Sequence, residues 1–266
     1  MKTPISYWGG KQQMSQTILA MLPQHKIYDE PFFGGGAIFF AKKPSEIEFI
    51  NDINGIMITF YRELKLDFAA LKQEVDCTLH SELQHRQAQE IYFAPQNKEK
   101  VMQAWAVFVL SKQSIYSILD NAWRMSLEKN EAESFDRAKK AFSYIYAKRL
   151  ERTSIFSRDA VDVIKHTDSQ ETLHYCDPPY FNSECGHYSG YTQEDYARLL
   201  EELSNIKGKF LLSSYPNEPL SDYVKTKGWS YKEVDMPKSA GSQGKRKIEA
   251  LAWNYEAAEQ KQMNLF

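Results

Sequence analysis

The chain has 266 residues, of which 42% are hydrophobic and 26% charged, a composition typical of a globular protein with one sizeable core and room for a smaller second domain. Its formal net charge of -2 neither supports nor excludes a nucleic-acid partner. No apolar run is long enough to span a bilayer and no secretion signal is evident, so we expect a cytoplasmic protein that does not bind membranes.

The chain contains three cysteines, Cys77, Cys176 and Cys185. Their spacing matches no metal-ligand pattern, and an odd number leaves at least one thiol unpaired. This pattern fits a reducing compartment better than a disulfide scaffold. We therefore expect neither disulfides nor a zinc site, and no other metal.

The first 65 residues alternate between helix and strand patterns. Apolar residues at helical spacing predict a helix over 12–22, which Pro23 ends. The segment "KIYDE" leads into "PFFGGGAIFFAKK", whose pattern indicates a strand, a glycine turn and a helix. A strand over 47–52 and a helix over 53–64 follow. The alternation predicts a βαβ unit with a parallel sheet.

From about residue 67 to residue 152 glycine is absent and helical patterns dominate, most strongly over 100–119 and 135–152. The alternation then resumes. Strands are predicted over 153–157, 172–177, 209–215, 229–236 and 247–255, with helices over 158–166 and 192–206, the latter capped by Thr192. The simplest organisation is a doubly wound, Rossmann-like α/β domain built from both ends of the chain, with a mainly helical insert in the middle.

Two features of the first part suggest a nucleoside ligand. Glycines at positions 34 to 36 directly after a predicted strand allow a tight turn and a close backbone approach to a ligand. Asp52 ends the next predicted strand, where nucleotide-binding folds place an acid for ribose hydroxyls. The turn lacks the full GxGxxG and P-loop patterns, so an adenosyl ligand without phosphates fits better. Alternatively, Asp52 only caps the following helix.

The segment "DPPY", residues 177–180, comes at the end of another predicted strand. An ionised Asp177 accepts hydrogen bonds only, and the Pro178 carbonyl is a second acceptor on a stiff backbone. Together they suit an NH2 group, and Tyr180 offers a flat face on which a ring can stack. The motif predicts a planar ligand with an exocyclic amine. The alternative is a rigid turn without a ligand.

Four motifs together resemble one family. They are "YWGGK" at 7–11, "EPFFGGGAIFF" at 30–40, "NDIN" at 51–54 and "DPPY", in this order. The set is similar to the Dam-like, alpha-class N6-adenine DNA methyltransferases, which use S-adenosylmethionine. In that family an F-x-G-x-G motif, here 32–36, precedes a target-recognition insert and DPPY follows it. The likeness covers roughly 1–65 and 150–255, and the insert carries no matching motif.

The resemblance implies roles for regions and residues. Residues 1–65 and 150–266 would form the catalytic domain that binds S-adenosylmethionine, and 66–149 the target-recognition insert. The cofactor would lie against the residues that match the family's cofactor site: Tyr7, Lys11, Phe32, Gly34, Gly36, Asp52, Asp159 and Asp177. Asp162 competes with Asp159 for its match. The basic run of Lys245, Arg246 and Lys247 is either a solvated loop or a phosphate contact.

The implied reaction is methyl transfer to the N6 amine of adenine in double-stranded DNA, by direct in-line displacement. Asp177 and Pro178 would accept the two amine hydrogens, and Tyr180 would stack on the extruded base. Alternatives are a cytosine-N4 or RNA amine methyltransferase and a non-catalytic nucleic-acid binding protein of this fold. Cys176 is interpreted as a small buried strand residue. A cognate restriction endonuclease is a candidate partner.

Overall fold

The fold combines a single described sheet with many helices. The structure is a computed structural model that describes residues 1–181, 190–237 and 246–256, apart from the side chains of residues 237, 246 and 247. The helices within these ranges are α1 (Ser15–Met21), α2 (Ala37–Ala41), α3 (Gly55–Leu66), α4 (Phe68–Cys77), α5 (Glu82–Phe93), α6 (Lys100–Gln113), α7 (Glu131–Ala141), α8 (Ile145–Leu150), α9 (Ala160–Thr167), α10 (Gln193–Leu203) and α11 (Glu218–Lys227). Short 3-10 turns lie at Lys11–Gln13 and Ile115–Ser117. None of the helices in these ranges has the length and apolar character needed to cross a membrane.

Seven strands form a mixed sheet. They are β1 (Ile27–Glu30), β2 (Ile47–Asn51), β3 (Thr153–Phe156), β4 (Thr172–Cys176), β5 (Lys209–Ser214), β6 (Ser230–Pro237) and β7 (Arg246–Trp253). Their order is β3-β2-β1-β4-β5-β7-β6. Strands β2 and β3, β1 and β4, and β4 and β5 pair in parallel, whereas β7 is antiparallel to both β5 and β6. Strand order reverses between β1 and β4, as in doubly wound sheets, and the predicted α/β class is confirmed.

The chain divides into two compact units. The first comprises Met1–Ser15, Phe32–Pro44 and Glu48–Ala160, and the second comprises Gln16–Pro31, Ser45–Ile47 and Val161–Phe266. The middle of the chain is helical as predicted, because its described residues form α4 to α8. They also include one isolated β-bridge, between Ser114 and Trp123, which is not part of the sheet. The division into a catalytic domain and an insert at residues 65/66 and 149/150 stays a prediction.

Two predicted helices are shorter in the structure. The helix predicted over 100–119 ends at Gln113, because Tyr116 and Ser117 have φ angles of 57° and 58°, which a right-handed helix does not admit. The helix predicted over 135–152 is interrupted between α7 and α8, where Phe142 is extended and buried. Its ring centroid lies 4.8 Å from that of Phe108. Packing of Phe142 therefore outweighs the helical propensity of the segment.

A buried ion triad stabilises the first unit. Glu48 of β2 lies between Lys42 and Arg149, and all three side chains are almost fully buried. The Lys42 Nζ is 2.5 Å from Glu48 Oε1, and Arg149 also donates to the Phe39 carbonyl at 3.0 Å. A buried charge is tolerated only when it is paired and hydrogen-bonded, as Glu48 is here.

In the second unit a buried histidine joins β4 to β1. His174 lies directly opposite Asp29 in the parallel pair, and its Nδ1 is 2.8 Å from Asp29 Oδ2. Its Nε2 is 3.6 Å from Asp168, and the Thr167 hydroxyl donates to Asp29 at 2.9 Å. Burial disfavours the charged imidazolium, but Asp168 and Asp29 outweigh this effect, so the pKa of His174 is raised above its usual value.

We expect the replacement His174→Leu to destabilise the protein more at low pH than at high pH. Because the folded pKa of His174 is raised, its ionic contribution is complete below about 6.5, the pKa of an unfolded histidine, and is lost as the pH rises through the folded value. Urea unfolding near pH 5.5 should show a loss of roughly 3 kcal/mol, with a smaller loss near pH 8.5.

The exposed His166 provides the control. His166→Leu should change the free energy of unfolding by less than about 0.5 kcal/mol at either pH. Equal losses for His174→Leu at both pH values would contradict an ionic role of His174.

Candidate functional site

The glycine turn after β1 packs against the N-terminal segment. Gly34 and Gly36 have φ angles of 46° and 66°, in the left-handed region that glycine tolerates. A Cβ at Gly34 would lie 3.0 Å from the Tyr7 ring, and one at Gly36 would lie 2.6 Å from Cζ of Phe33. The structure therefore brings Tyr7, Gly34 and Gly36 together, and glycine at these positions makes room for two aromatic rings.

The two phenylalanines before the glycines have different environments. Phe33 is buried, its ring centroid is 4.7 Å from that of Tyr61, and its N–H donates to the Asn51 carbonyl at 2.8 Å. The Tyr61 hydroxyl in turn donates to the Gly34 carbonyl at 2.7 Å. Phe32, the predicted cofactor residue, is half-buried. Phe33 thus anchors the turn in the core, while Phe32 is accessible at the surface.

Asp52 follows β2 and holds the glycine turn in place. One carboxylate oxygen accepts the N–H of Gly34 at 2.8 Å, and the other accepts the N–H of Asn54 at 2.9 Å. Burial raises the pKa of Asp52, and these two hydrogen bonds partly offset the effect. The cap of α3 is Asn54, whose side chain accepts from Ile56 N–H at 3.2 Å. Asp52 is therefore not the helix cap, and a carboxylate can accept further hydrogen bonds beyond these two.

Ile53 was not identified from the sequence. It lies between Asp52 and Asn54 and is 74% exposed, which places an aliphatic side chain in solvent beside a predicted ribose-binding acid. A single exposed apolar residue is unremarkable by itself. Its two neighbours, Asp52 and Asn54, form hydrogen bonds within the protein, so the Ile53 side chain is the exposed apolar group at this point and a candidate surface for a ligand. In the sequence, the apolar residue within the polar motif "NDIN" could have indicated it.

A small cavity lies beside the glycine turn. Its volume is about 170 Å³, and its lining comprises Thr3, Ser6, Tyr7, Gly10, Gln12, Gly35 and Ala37. Lys11, a predicted cofactor residue, is outside this lining. Its side chain is buried, and its Nζ donates to the Gly9 carbonyl at 3.3 Å.

Asp159, the remaining cofactor residue predicted in the first unit, follows β3 in a loop that β2 positions. The Asn51 side chain donates to the Arg158 carbonyl and accepts from the Arg158 N–H, both at 3.0 Å. Ser157 donates to the carbonyl of Asp52 at 3.2 Å. Asp159 itself is half-buried. The acid thus lies on a loop that is tied to the end of the strand preceding Asp52.

In the second unit, DPPY continues from the fully buried strand β4. Asp177 and Tyr180 are half-buried and Pro178 is buried. The Tyr180 hydroxyl donates to a carboxylate oxygen of Glu249 on β7, and its ring centroid lies 5.2 Å from that of Tyr215. Burial and the negative charges of Asp177 and Glu249 raise the pKa of Tyr180 well above its usual value. The phenol is therefore neutral at physiological pH and is unsuited to act as a general base.

Carboxylates surround the carboxyl ends of β1 and β4. Glu30 ends β1, is buried, and accepts from the Tyr28 hydroxyl at 2.7 Å. Burial, followed by the charges of Asp177, Glu30 and Glu249, raises the pKa of Tyr175 well above its usual value. The same region is the switch point of the sheet, where doubly wound folds bind ligands. Glu30 stands at the start of the motif "EPFFGGGAIFF" but was given no role from the sequence, and Glu249 was missed because an acid within a strand gives no local signal.

Cys176 is a free, fully buried thiol, as predicted, and burial raises its pKa well above the usual value. A buried thiol of this kind is a poor nucleophile. Of the predicted basic run, Lys245 lies outside the described residues, as do the side chains of Arg246 and Lys247. Their predicted contact with DNA stays a prediction.

Comparison with known proteins gives a consistent set of relatives. The family described as D12 class N6 adenine-specific DNA methyltransferase matches residues 7–236. Type II methyltransferase M1.LlaDCHI of Lactococcus lactis subsp. cremoris is 24% identical over 95% of this chain and 95% of its own length. Type II methyltransferase M.MjaIII of Methanocaldococcus jannaschii is 27% identical over 95% of this chain and 99% of its own length. Among solved structures, SMU.1697c of Streptococcus mutans in complex with SAH has a TM-score of 0.38 and 8% identity, covering 91% of this chain and 97% of that one.

We expect Gly36→Ala to destabilise the protein more than Gly228→Ala. Both glycines have a left-handed φ, 66° and 68°, but a Cβ at Gly228 would meet nothing within 4 Å, whereas one at Gly36 would collide with the buried Phe33 ring. Gly228→Ala should cost about 1 kcal/mol in the free energy of unfolding from backbone strain alone. Gly36→Ala should cost roughly 1–2 kcal/mol more. Urea unfolding measures the free energy of unfolding of both variants. Equal losses would contradict the predicted clash, because they would mean that the Phe33 ring moves aside without cost.

Proposed function

The chain belongs to the D12 class N6 adenine-specific DNA methyltransferases, and we propose that Asp177, Pro178 and Tyr180 form its adenine pocket. The family assignment confirms the predicted reaction, methyl transfer from S-adenosylmethionine to the N6 amine of adenine in DNA. It favours this reaction over the cytosine-N4, RNA and non-catalytic alternatives. The Dam-like, alpha-class subtype stays a prediction.

The observation that carries the proposal is the hydrogen bond between Tyr180 and Glu249. It holds a neutral aromatic ring beside Asp177, at the end of a buried strand. Asp177 accepts one hydrogen of the adenine amine and the Pro178 carbonyl accepts the other. These two bonds draw the nitrogen towards tetrahedral geometry, so that its lone pair becomes available for attack. Catalysis then depends on positioning and on acceptor dipoles aimed at the charge that develops on nitrogen.

Base extrusion is required because the amine lies inside the duplex. Unstacking costs a few kcal/mol, and stacking on an aromatic side chain returns roughly 1–3 kcal/mol. Tyr180 supplies that stacking face and does not act as a base, since its raised pKa keeps the phenol protonated. The Tyr215 ring lies against Tyr180 at an interplanar angle of 51°.

The residues also fit S-adenosylmethionine, which supplies the methyl group on a sulfonium centre. Glu30 and Asp177 provide negative charge at the carboxyl ends of β1 and β4, which suits a cationic ligand. In the first unit, Asp52 has acceptor capacity for ribose hydroxyls and the exposed Ile53 offers an apolar surface for a purine ring. The resemblance also implies cofactor contacts for Tyr7, Lys11, Phe32, Gly34, Gly36 and Asp159 of this unit.

The insert, residues 66–149, is proposed to recognise the DNA sequence. The loop after α6 carries Tyr116, which is 52% exposed and has a left-handed backbone, and the exposed Met125 and Leu127. Strained backbone and exposed apolar side chains together are typical of a contact loop. Lys245, Arg246 and Lys247 are proposed phosphate contacts.

We further propose a cytoplasmic location, because the substrate is DNA, and a cognate restriction endonuclease as partner. Support for the endonuclease comes from the names of the two relatives, both type II methyltransferases. If the proposal is correct, DNA from cells expressing the protein should resist an endonuclease that cuts the methylated motif.

Modified-base sequencing of host DNA after expression tests the function directly. We expect N6-methyladenine at one short recurrent motif and no N4-methylcytosine above the level of an empty-vector control. The motif supplies the substrate for every kinetic experiment below. N4-methylcytosine in place of N6-methyladenine would contradict the proposed adenine pocket.

We expect Asp177→Ala to lower kcat by roughly 100- to 1,000-fold, because alanine offers no side-chain acceptor to the adenine amine. The KM for DNA should change by less than about 3-fold, since phosphate contacts supply most of the affinity. Transfer of a labelled methyl group to duplex DNA gives both constants. The matched control Asp222→Ala, on the exposed side of α11, should leave them unchanged. A KM effect without a kcat effect would contradict the assigned role of Asp177.

A further inference from the structure

We propose that Glu249 is a positioning residue for adenine methylation, acting through its hydrogen bond to the Tyr180 hydroxyl. The inference rests on the proposed role of Tyr180 as the stacking face for the extruded base. Glu249 lies on β7, 69 residues after Tyr180, and is not among the site residues predicted from the sequence.

The polarity of β7 is inverted at this point. Neighbouring residues of a strand face opposite sides of the sheet, so burial of Ile248 and exposure of Glu249 would be the favourable arrangement. The structure has the reverse, with Ile248 46% exposed and Glu249 3% exposed. Such an arrangement loses the burial of an isoleucine and desolvates a carboxylate, both of which cost free energy. Local conflicts of this kind are expected at functional sites.

The Tyr180 hydroxyl reaches this carboxylate from outside the neighbouring strand. Glu249 lies opposite Val234 of β6, an apolar residue that offers no side-chain hydrogen bond. The next residue, Ala250, pairs with Ser214 of β5 and Glu233 of β6, so β7 is covered on both edges here. The Tyr180 hydroxyl donates a hydrogen bond to a carboxylate oxygen of Glu249. The DPPY tyrosine thus compensates the burial of the acid.

The hydrogen bond has two consequences for Tyr180. It is charge-assisted, and such bonds are shorter and roughly twice as strong as neutral ones. It therefore fixes the ring plane before the base arrives, which reduces the entropy lost on stacking. The same carboxylate helps to raise the pKa of the phenol, so the stacking face carries no charge. Glu249 acts on the base only through Tyr180.

The test compares five variants: Glu249→Ala, Glu249→Gln, Tyr180→Phe, Tyr180→Ala and the double variant of Glu249→Ala with Tyr180→Phe. Two readouts are used on the mapped motif: the single-turnover methylation rate, and the fluorescence of a duplex with 2-aminopurine in place of the target adenine, in the presence of S-adenosylhomocysteine. Thermal unfolding by circular dichroism identifies any variant that is not folded at the assay temperature.

We expect Glu249→Ala and Tyr180→Phe each to lower the rate and the extrusion signal by roughly 10- to 100-fold, as for residues that orient a primary contact. The double variant should methylate no more slowly than the slower of the two single variants, because both changes remove the same hydrogen bond. Glu249→Gln should stay within about 3-fold of the wild type, since the amide oxygen still accepts from the hydroxyl. If Glu249 only stabilised the fold, we would not expect both the near-normal rate of Glu249→Gln and a double variant whose loss is smaller than the product of the two single losses.

Glu233→Ala is the matched control. Glu233 accepts from the Tyr231 hydroxyl at 2.9 Å on the exposed neighbouring strand, so the variant removes the same chemistry away from DPPY. It should leave both readouts unchanged. The inference about Glu249 would be overturned if the fold-losses of the two single variants multiplied in the double variant, or if Glu249→Ala left the extrusion signal unchanged. Either result would leave the proposed role of Tyr180 intact. Tyr180→Ala without any effect on extrusion would instead overturn the proposed role of Tyr180.

Discussion

A buried carboxylate must be paired, and this requirement organises both units of the protein. Glu48 is held by Lys42 and Arg149, and Asp29 by His174 and Thr167. Near the proposed site, backbone N–H groups donate to Asp52 and a phenol donates to Glu249. Ionic partners thus hold Glu48 and Asp29, and further acids, Glu30 and Asp177, lie at the carboxyl ends of β1 and β4.

That distribution of charge determines what the strand ends can do. Tyr175, Tyr180 and Cys176 all have raised pKa values, because burial and nearby acids disfavour a negative phenolate or thiolate. None of them is therefore suited to act as a nucleophile or base. The region instead suits a cationic methyl donor and an amine that becomes positively charged. This electrostatic setting supports direct transfer, with the protein contributing acceptors and position.

Much of the fold was predictable from short-range patterns. Strands β2 to β7 and the Thr192 cap of α10 follow from apolar runs and capping chemistry, and the glycine turn from three consecutive glycines. The helix ends around residues 113–117 and 142–144 were not predictable, because burial of Phe142 and the left-handed backbone of Tyr116 arise from long-range packing. A helical periodicity continues through both breaks and gives no sign of them.

The sequence by itself determined the class of fold, the family and the identity of the DPPY and glycine motifs, because these depend on local backbone chemistry and on residues adjacent in the chain. Only the tertiary structure decided how those motifs are supported. It placed Asp52 on the N–H of Gly34, Tyr7 over the glycines, and Glu249 beneath Tyr180. These partners lie 18 to 69 residues apart in the chain. Burial, which reverses the usual preference at Ile248 and Glu249, is likewise a property of the folded chain alone.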